Sequence, residues 1–525
     1  MAGADFLQLD PAHAPAGGLT AWLAEAVRGA VSDGRLVRGD RLPATRVLAE
    51  QLGCSRGVVV DAYRRLTDEG LLAGRRGGGT TVRAAWATAP GPGPGSAGPV
   101  AGRGTPAAAP GTARAARPAW SGLAGGLPGA FVPAGPGAPG APGTDLIDLS
   151  PGLPDLSAFP RAAWARAERA ALDGLASGDL GYGDPRGLPA LREALAAWLA
   201  RTRGLRAHPD DILVVNGVSQ GLMLLARALV ARGTTRIGFE DPGSYGAREH
   251  LRRWDLTPVP VPVDRNGLDV GALGRSGVDA VLVTPAHQFP TGVVLAPDRR
   301  RALVAWASSG PADDPDGTPG RLVIEDDYDA EHRYDRPPVP ALRALAPDHV
   351  VHLGSVSKTL APGIRIGWLL APAALRSELV EARYWTDLAG PALPQLALAH
   401  FITSGGFERH LRQVRRRHRA RRDALLTALA THLPGATAHG VAAGLHLLVT
   451  LPGVDDADVA RRAAAAGVRV HPLSAHRVGD GPPGLVIGYA ANPPDRLAEA
   501  VARVARGLRP AAGAGAVVGV RPLTP

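Results

Sequence analysis

Residues 84–144 hold a stretch that can sustain neither helix nor sheet, and it divides the chain. The runs Pro90-Gly-Pro-Gly-Pro-Gly95 and Pro133-Ala-Gly-Pro-Gly-Ala-Pro-Gly-Ala-Pro142 lose an amide donor at each proline. They also raise the ordering cost at each glycine. The segment reads as a long flexible linker. No Asp or Glu occurs between Glu69 and Asp145, while Arg83, Arg103, Arg114 and Arg117 do. Such a tether is weakly attracted to a polyanion, and the patch from Trp120 to Ala124 can dock on a folded body. The chain has 525 residues, 45% of them hydrophobic, so two or three domains are expected. The boundaries read as a small module at 15–83, the linker at 84–144, a large body at 145–508 and a flexible tail at 509–525.

The formal net charge of +10 is compatible with a polyanionic partner but does not establish one. Cys54 is the only cysteine, which excludes an intrachain disulfide framework and any multi-cysteine zinc site. The first residues lack a basic region followed by an apolar run, so no signal peptide is read. Apolar stretches elsewhere are broken by Arg, Asp, Gly or Pro well short of a membrane span. A cytoplasmic protein without membrane contact is the expectation.

Within the small module, Leu19 to Val31 has helical periodicity. Thr45 is the expected N-cap of a helix to about Gln51, with Leu48, Ala49 and Leu52 inward. Gly53-Cys54 makes a turn. Ser55 can cap a second helix over Arg56–Glu69, which buries Val59, Ala62, Tyr63 and Leu66. That is helix-turn-helix spacing. Leu71 to Val82 then reads as two short strands around a glycine-rich basic loop, a wing. A helix of this kind fits a major groove, and its N-terminal amides can meet a phosphate. Ser55, Arg56 and Gly57 stand at that end, and Arg46, Arg75 and Arg76 can contact backbone phosphates. The blocks Pro43-Ala-Thr-Arg46-Val-Leu-Ala49, Leu52-Gly-Cys-Ser-Arg56 and Ala62-Tyr63-Arg-Arg-Leu66 resemble the winged helix of GntR-type bacterial regulators. The resemblance implies a transcription factor that binds double-stranded operator DNA.

From Asp145 short apolar runs alternate with amphipathic stretches, the pattern of an α/β fold. Expected strands are 212–215, 236–240, 280–284, 322–325, 352–354 and 366–370. Expected helices include 188–203, 219–231 and 299–306, and 309–320 reads as a surface insertion. A smaller α+β subdomain starts near Ala442, with strands over 444–451, 468–471 and 485–489 and a helix over 456–466. The basic run Arg409–Arg422 reads as the charged face of a long helix, with Leu411 and Val414 inward.

Lys358 is the chemical centre of the body. A lysine amine can form an imine with an aldehyde cofactor when desolvation or charge lowers its pKa. Ser355, Ser357 and Arg365 surround it in sequence. Hydroxyls, amides and a guanidinium make a phosphate site. The loop Asn216-Gly-Val-Ser-Gln-Gly221, with Ser219, is a second anion-binding candidate between a strand and a helix. Asp326 ends an apolar strand where an open sheet presents its ligand crevice. It can keep a pyridine nitrogen protonated, and Tyr328 can hydrogen-bond a ring oxygen. The acids at 325–329 can also attract a metal. Few His or Asp elsewhere converge by pattern to complete such a site, so no metal is expected.

The blocks Gly152-Leu-Pro-Asp155, Tyr182-Gly-Asp-Pro-Arg-Gly187, Glu240-Asp-Pro-Gly243, Thr284 to Gly292, Glu325 to Asp329 and Ser355-Val-Ser-Lys358 resemble fold-type-I aminotransferases. The joined architecture resembles the MocR/GabR-type branch of the GntR superfamily. The resemblance implies pyridoxal 5'-phosphate (PLP) on Lys358, Asp326 at the pyridine nitrogen, and Ser219, Ser355, Ser357 and Arg365 around the phosphate. It also implies a homodimer in which Tyr182 reaches the partner's phosphate. Two departures stand out. The usual stacking aromatic after Pro-Gly is Ser244, followed by Tyr245, so the loop is shifted by one residue or stacking is weaker. The arginine that grips a substrate carboxylate is absent from the stretch 484–489. The expected function is a PLP-dependent regulator that senses PLP, or a small amine or amino acid effector, through imine chemistry, with at most weak transaminase activity. The alternative is an active aminotransferase with an accessory DNA-binding domain.

Overall fold

The computed structural model describes residues 14–15, 18–32, 36, 40–68, 71–75, 79–82, 146–310, 320–334, 339–440 and 443–508. The expected linker, the tip of the wing with Arg76, most of the 309–320 insertion and the expected tail lie outside these residues. The chain divides into two units, one up to Ala116 and one from Arg117.

In the first unit, α1 (Leu19–Ser32), β1 (Arg41–Leu42), α2 (Thr45–Gln51) and α3 (Arg56–Asp68) precede β2 (Leu72–Arg75) and β3 (Gly79–Val82). The strands form an antiparallel sheet in the order β1-β3-β2. Leu23, Leu48, Val59, Ala62 and Leu66 are fully buried, and each large apolar side chain so buried contributes about 1.5–3 kcal/mol. Tyr63 donates to the Pro43 carbonyl at 2.9 Å, which ties α3 to the chain entering α2. One expectation is corrected. Ala44, not Thr45, occupies the cap position of α2, without a side-chain cap bond. The Ala44 carbonyl already accepts from the Leu48 amide, so the helix begins one residue earlier and takes Thr45 into its first turn.

The second unit opens with β4 (Ile147–Asp148), α4 (Arg161–Asp173) and α5 (Pro189–Arg203). Its central elements are β5 (Ile212–Val215), α6 (Val218–Ala231), β6 (Arg236–Asp241), α7 (Tyr245–Arg253), β7 (Thr257–Asp264), β8 (Gly267–Leu268), α8 (Val270–Arg275), β9 (Ala280–Val283), α9 (Pro297–Ser308), β10 (Leu322–Asp326), β11 (Val350–Ser355) and β12 (Gly367–Leu370). The eight strands run in the order β5-β12-β11-β10-β9-β6-β7-β8. Pairing is parallel from β11 through β10, β9 and β6 to β7, and β12 is antiparallel to both neighbours.

Alternate residues of β5 enter different cores, as a two-faced strand requires. Ile212 and Val214 join Trp198, Phe401 and Phe407 on one face, while Leu213 and Val215 join Leu224, Leu225 and Leu375 on the other. The ends of β5, β6, β9, β10 and β11 therefore open at one edge of a sheet covered on both faces, where such folds bind ligands.

The remaining elements are α10 (Ala373–Asp387), α11 (Ala392–Thr403), α12 (Gly406–His432), β13 (Thr437–His439), β14 (His446–Thr450), α13 (Asp456–Ala465), β15 (Val468–Arg469), β16 (His471–Pro472), β17 (Leu485–Gly488) and α14 (Pro494–Leu508). Leu411 and Val414 are buried on α12, as the basic run implied. The single strand expected over 468–471 is corrected to two pieces. β15 pairs with β4, and β16 joins the antiparallel sheet β13-β14-β17-β16. Arg469 is held by Asp148 at 2.8 Å, which commits the first half of the segment to β4.

Candidate functional site

The first unit presents Ser55, Arg56 and Gly57 exposed at the start of α3, and Arg46 exposed on α2. Neither Arg46 nor Arg56 is ion-paired with an acid among the described residues. Val47 and Val60 are also exposed, at 46% and 37%. Val60 has no motif signal of its own in the sequence, but it lies on the helix face of Arg56 and Gly57. An apolar side chain there can meet a thymine methyl. Arg75 ends β2, and Arg76 lies outside the described residues.

In the second unit the sheet edge collects the expected body residues. Lys358 follows β11 and donates its ammonium to the Gly152 carbonyl at 2.8 Å. Desolvation lowers its pKa, opposed by Asp326 and Asp329. Asp326 ends β10 with Oδ1 buried and unpartnered. Burial, then the charges of Asp327 and Asp329, push its pKa up to about 7 against the pull of Lys358. A carboxylate in that state is suited to a nitrogen that brings its own proton or positive charge.

The expected anion cradle lies where β5 gives way to α6. Gly217 precedes α6 with φ of 82°, a conformation that side chains rarely adopt. A Cβ there would stand 3.0–3.2 Å from the Arg365 guanidinium. Glycine thus lets Arg365 reach the loop, where it donates to the Asn216 carbonyl. Asn216 and Gln220 both donate to Asp387, at 2.8 and 2.9 Å, and fix the loop from α10. Ser219 and Arg365 are exposed, Ser357 is half-buried and Ser355 is buried. The Ser357 amide donates to Ser355 Oγ at 3.4 Å.

Ser244, in place of the expected aromatic, caps α7 by accepting from the Ala247 amide at 3.3 Å. Tyr245 is then the first residue of the helix and half-buried. The loop has a structural use for serine at this position. Tyr182 is 93% exposed.

A buried ion pair braces the floor. Arg203 donates to both oxygens of Asp327, at 2.6 and 2.9 Å. Glu325 accepts from the Leu342 and Arg343 amides at 2.6 and 3.0 Å. Of the acids at 325–329, two are thus structural. The expectation that few residues converge on the remaining acids is corrected. His287 and His446 come to Asp329, with donor atoms within 4.8 Å of one another. His287 Nδ1 lies 2.8 Å from Asp329 Oδ2 and 3.1 Å from the Tyr328 hydroxyl. Gly444 makes room for it, since a Cβ there would stand 2.1 Å from the His287 ring. Burial and Asp329 raise the Tyr328 pKa, so its hydroxyl stays protonated as a donor. These contacts join residues 41 and more apart and have no local sequence signal.

Residues 144–504 match the family model "Aminotransferase class I and II", and residues 19–82 match "Bacterial regulatory proteins, gntR family". The chain is 34% identical over 483 residues to the HTH-type pyridoxine biosynthesis transcriptional regulator PdxR of Corynebacterium glutamicum, covering 92% of this chain and 94% of that one. It is 32% identical to the probable rhizopine catabolism regulatory protein MocR of Rhizobium meliloti, covering 91% of each. Among solved structures, it resembles the kynurenine aminotransferase of Pyrococcus horikoshii in complex with PMP. That match has a TM-score of 0.62 and 28% identity, over 70% of this chain and 91% of that one.

Proposed function

The chain belongs to the MocR-type regulators of the GntR superfamily, with a gntR-family domain followed by a class I and II aminotransferase domain, and from that premise we propose that its body holds PLP on Lys358 as its sensor. It is a DNA-binding transcriptional regulator by family. The observation that carries the cofactor reading is the grouping of Lys358, the unpartnered Asp326 oxygen and the Gly217–Arg365 cradle at one sheet edge. The residues fit the group. Lys358 offers its amine, Asp326 faces a nitrogen in need of an anion, Tyr328 offers a hydroxyl, and Ser219, Ser355, Ser357 and Arg365 offer donors for a phosphate. When bound, PLP supplies an aldehyde that condenses with amines, which is the chemistry a sensor of PLP or of an amino compound needs.

The chain's own residues set the response. Lowering of the Lys358 pKa keeps a fraction of its amine unprotonated and able to attack. The Arg203–Asp327 pair fixes the strand end from which Asp326 projects. An effector that changes what occupies this edge shifts the population of states that present the DNA-binding units. No helix among the described residues is long and apolar enough to cross a membrane.

DNA binding is tested by titrating neighbouring intergenic DNA with the full chain at several salt concentrations. Arg46→Ala or Arg56→Ala is expected to lower the slope of log affinity against log salt by about one each, as one phosphate contact is lost. The cofactor absorbance should not change. If both variants keep wild-type affinity and slope at physiological salt, the module docks through another face.

We further propose a homodimer in which Tyr182 reaches the partner's phosphate cradle. Its near-complete exposure supports this, and a dimer would present two DNA-binding modules to paired half-sites. Sedimentation of the full chain should give a dimer. Tyr182→Phe is expected to weaken cofactor retention roughly tenfold or more, the value of a hydrogen bond to a charged group. A monomer with full cofactor occupancy would exclude the shared site.

A further inference from the structure

Arg248 lies on α7 with 6% of its surface exposed. Its Nη2 donates to the Ala475 carbonyl at 3.4 Å, and its guanidinium stands 5.5 Å from the centre of the Tyr245 ring. Nε and Nη1 are buried with no partner. The nearby acids are committed elsewhere. Asp241 accepts from the Val478 and Gly479 amides at 2.8 and 3.0 Å, and Glu249 pairs with Arg252 at 2.5 Å. Glu249 and Asp241 offset the Arg248 charge only through space, so two buried guanidinium nitrogens stay without a hydrogen bond, and an anion that reaches them is favoured.

The place of Arg248 indicates which anion. His250, two residues on, turns to the Ser219 carbonyl at the cradle, 2.8 Å away. Residues two apart on a helix face nearly opposite ways, so Arg248 faces away from the phosphate end and toward the turn at 473–476. Beside it lies His476, which burial, His471, His446 and then Arg248 hold neutral with a pKa of about 3. The His476 ring is 5.1 Å from Phe289, and Phe289 is 6.3 Å from Tyr328. Phe289 packs on Leu448, Leu473 and Val486. This apolar cluster carries Val486 in the stretch that lacks a carboxylate-binding arginine, and Arg248 is linked to its edge through His476.

We propose that Arg248 anchors the effector through a carboxylate. The ligand is a carboxylated amine whose amine points to the Lys358 end and whose carbon body passes the half-buried Phe289. The assignment of the amine end rests on the reading that Lys358 carries PLP, while the anchoring role of Arg248 does not.

Two measurements on the full chain separate these parts. In the first, cofactor-loaded protein is titrated with 5-aminopentanoate and with pentylamine, followed by cofactor absorbance. The acid is expected to act at a roughly tenfold lower concentration than the amine, as one charge-assisted contact predicts. Arg248→Gln should abolish the difference and leave the absorbance of the loaded protein unchanged. Equal responses in the wild type, or a preference retained in Arg248→Gln, would overturn the proposal. In the second, cofactor-stripped protein is melted with sodium pentanoate. A stabilising shift that survives Arg365→Gln and is lost in Arg248→Gln supports the anchor, and an equal shift in both variants overturns it. If no cofactor absorbance forms at all, the PLP reading has failed and the melting experiment alone decides Arg248. Should Arg248→Gln not fold, Arg248→Lys replaces it. That variant keeps the charge but loses the planar donors, so a reduced preference supports the anchor and an unchanged one refutes it.

Discussion

Replacement of Lys358 by alanine is expected to abolish covalent retention of the cofactor. Wild-type protein incubated with PLP and reduced with borohydride should yield a single modified peptide, the one containing Lys358. The Lys358→Ala chain should yield none, because among the described residues no other lysine amine stands at this edge. Lys358 is the only lysine of the 525 residues, so labelling elsewhere would fall on the chain's N-terminal amine and be read directly by mass. Loading should also slow as pH falls. The attacking amine must be unprotonated, and desolvation brings its pKa down from the usual lysine range without removing the need for deprotonation. Weak, reversible binding should persist in Lys358→Ala, since the cradle around Gly217 and Arg365 is intact. An unmodified Lys358 peptide from PLP-saturated wild-type protein would remove the central assignment.

The residues behind that prediction are legible in sequence because each sits in a short block at the end of its own strand. Asp326 closes β10, Ser355 closes β11, and Asn216 and Gly217 bridge β5 and α6. Parallel pairing then aligns these ends without further instruction. What sequence does not disclose depends on long-range packing. His287, Asp329 and His446 meet only when β14 of the small subdomain lies against the loop after β9. Arg248 looks like any arginine on an amphipathic helix until the turn at 473–476 covers it. The split of 468–472 between two sheets has the same origin, since the partner of Arg469 is Asp148, more than three hundred residues away. The Thr45 misassignment is local instead. Thr45 is a good cap by type, but the Ala44 carbonyl takes the amide that would have made it one.

Turnover with ordinary α-amino acids is expected to be at least about a hundredfold below that of an aminotransferase that grips the carboxylate, because misplacement by about an ångström already costs that much. The physical reason is on β17. Val486 is fully buried, pairs with Leu448 and His471 across the sheet, and packs with Leu473 and Phe289. A substrate carboxylate set on Val486 itself would meet apolar surface and neutral histidines, at a desolvation cost with no donor from the sheet. An anchor at Arg248 does not restore the lost geometry, since it approaches from α7 rather than from the sheet. A ligand held from that side can stay bound without its Cα–H being directed at Lys358. Lys358 remains able to act as a base, so a slow single-turnover change in cofactor absorbance is compatible with this account. Val486→Arg alone should not produce an efficient enzyme, because the new guanidinium would be buried among Leu448, Leu473 and Phe289 without a counter-charge. Stopped-flow absorbance with a panel of amino acids, followed by steady-state assays with a keto acid acceptor, measures both steps. Sustained turnover near the ordinary enzyme range of about 1–1,000 per second would make this protein an aminotransferase with a DNA-binding arm.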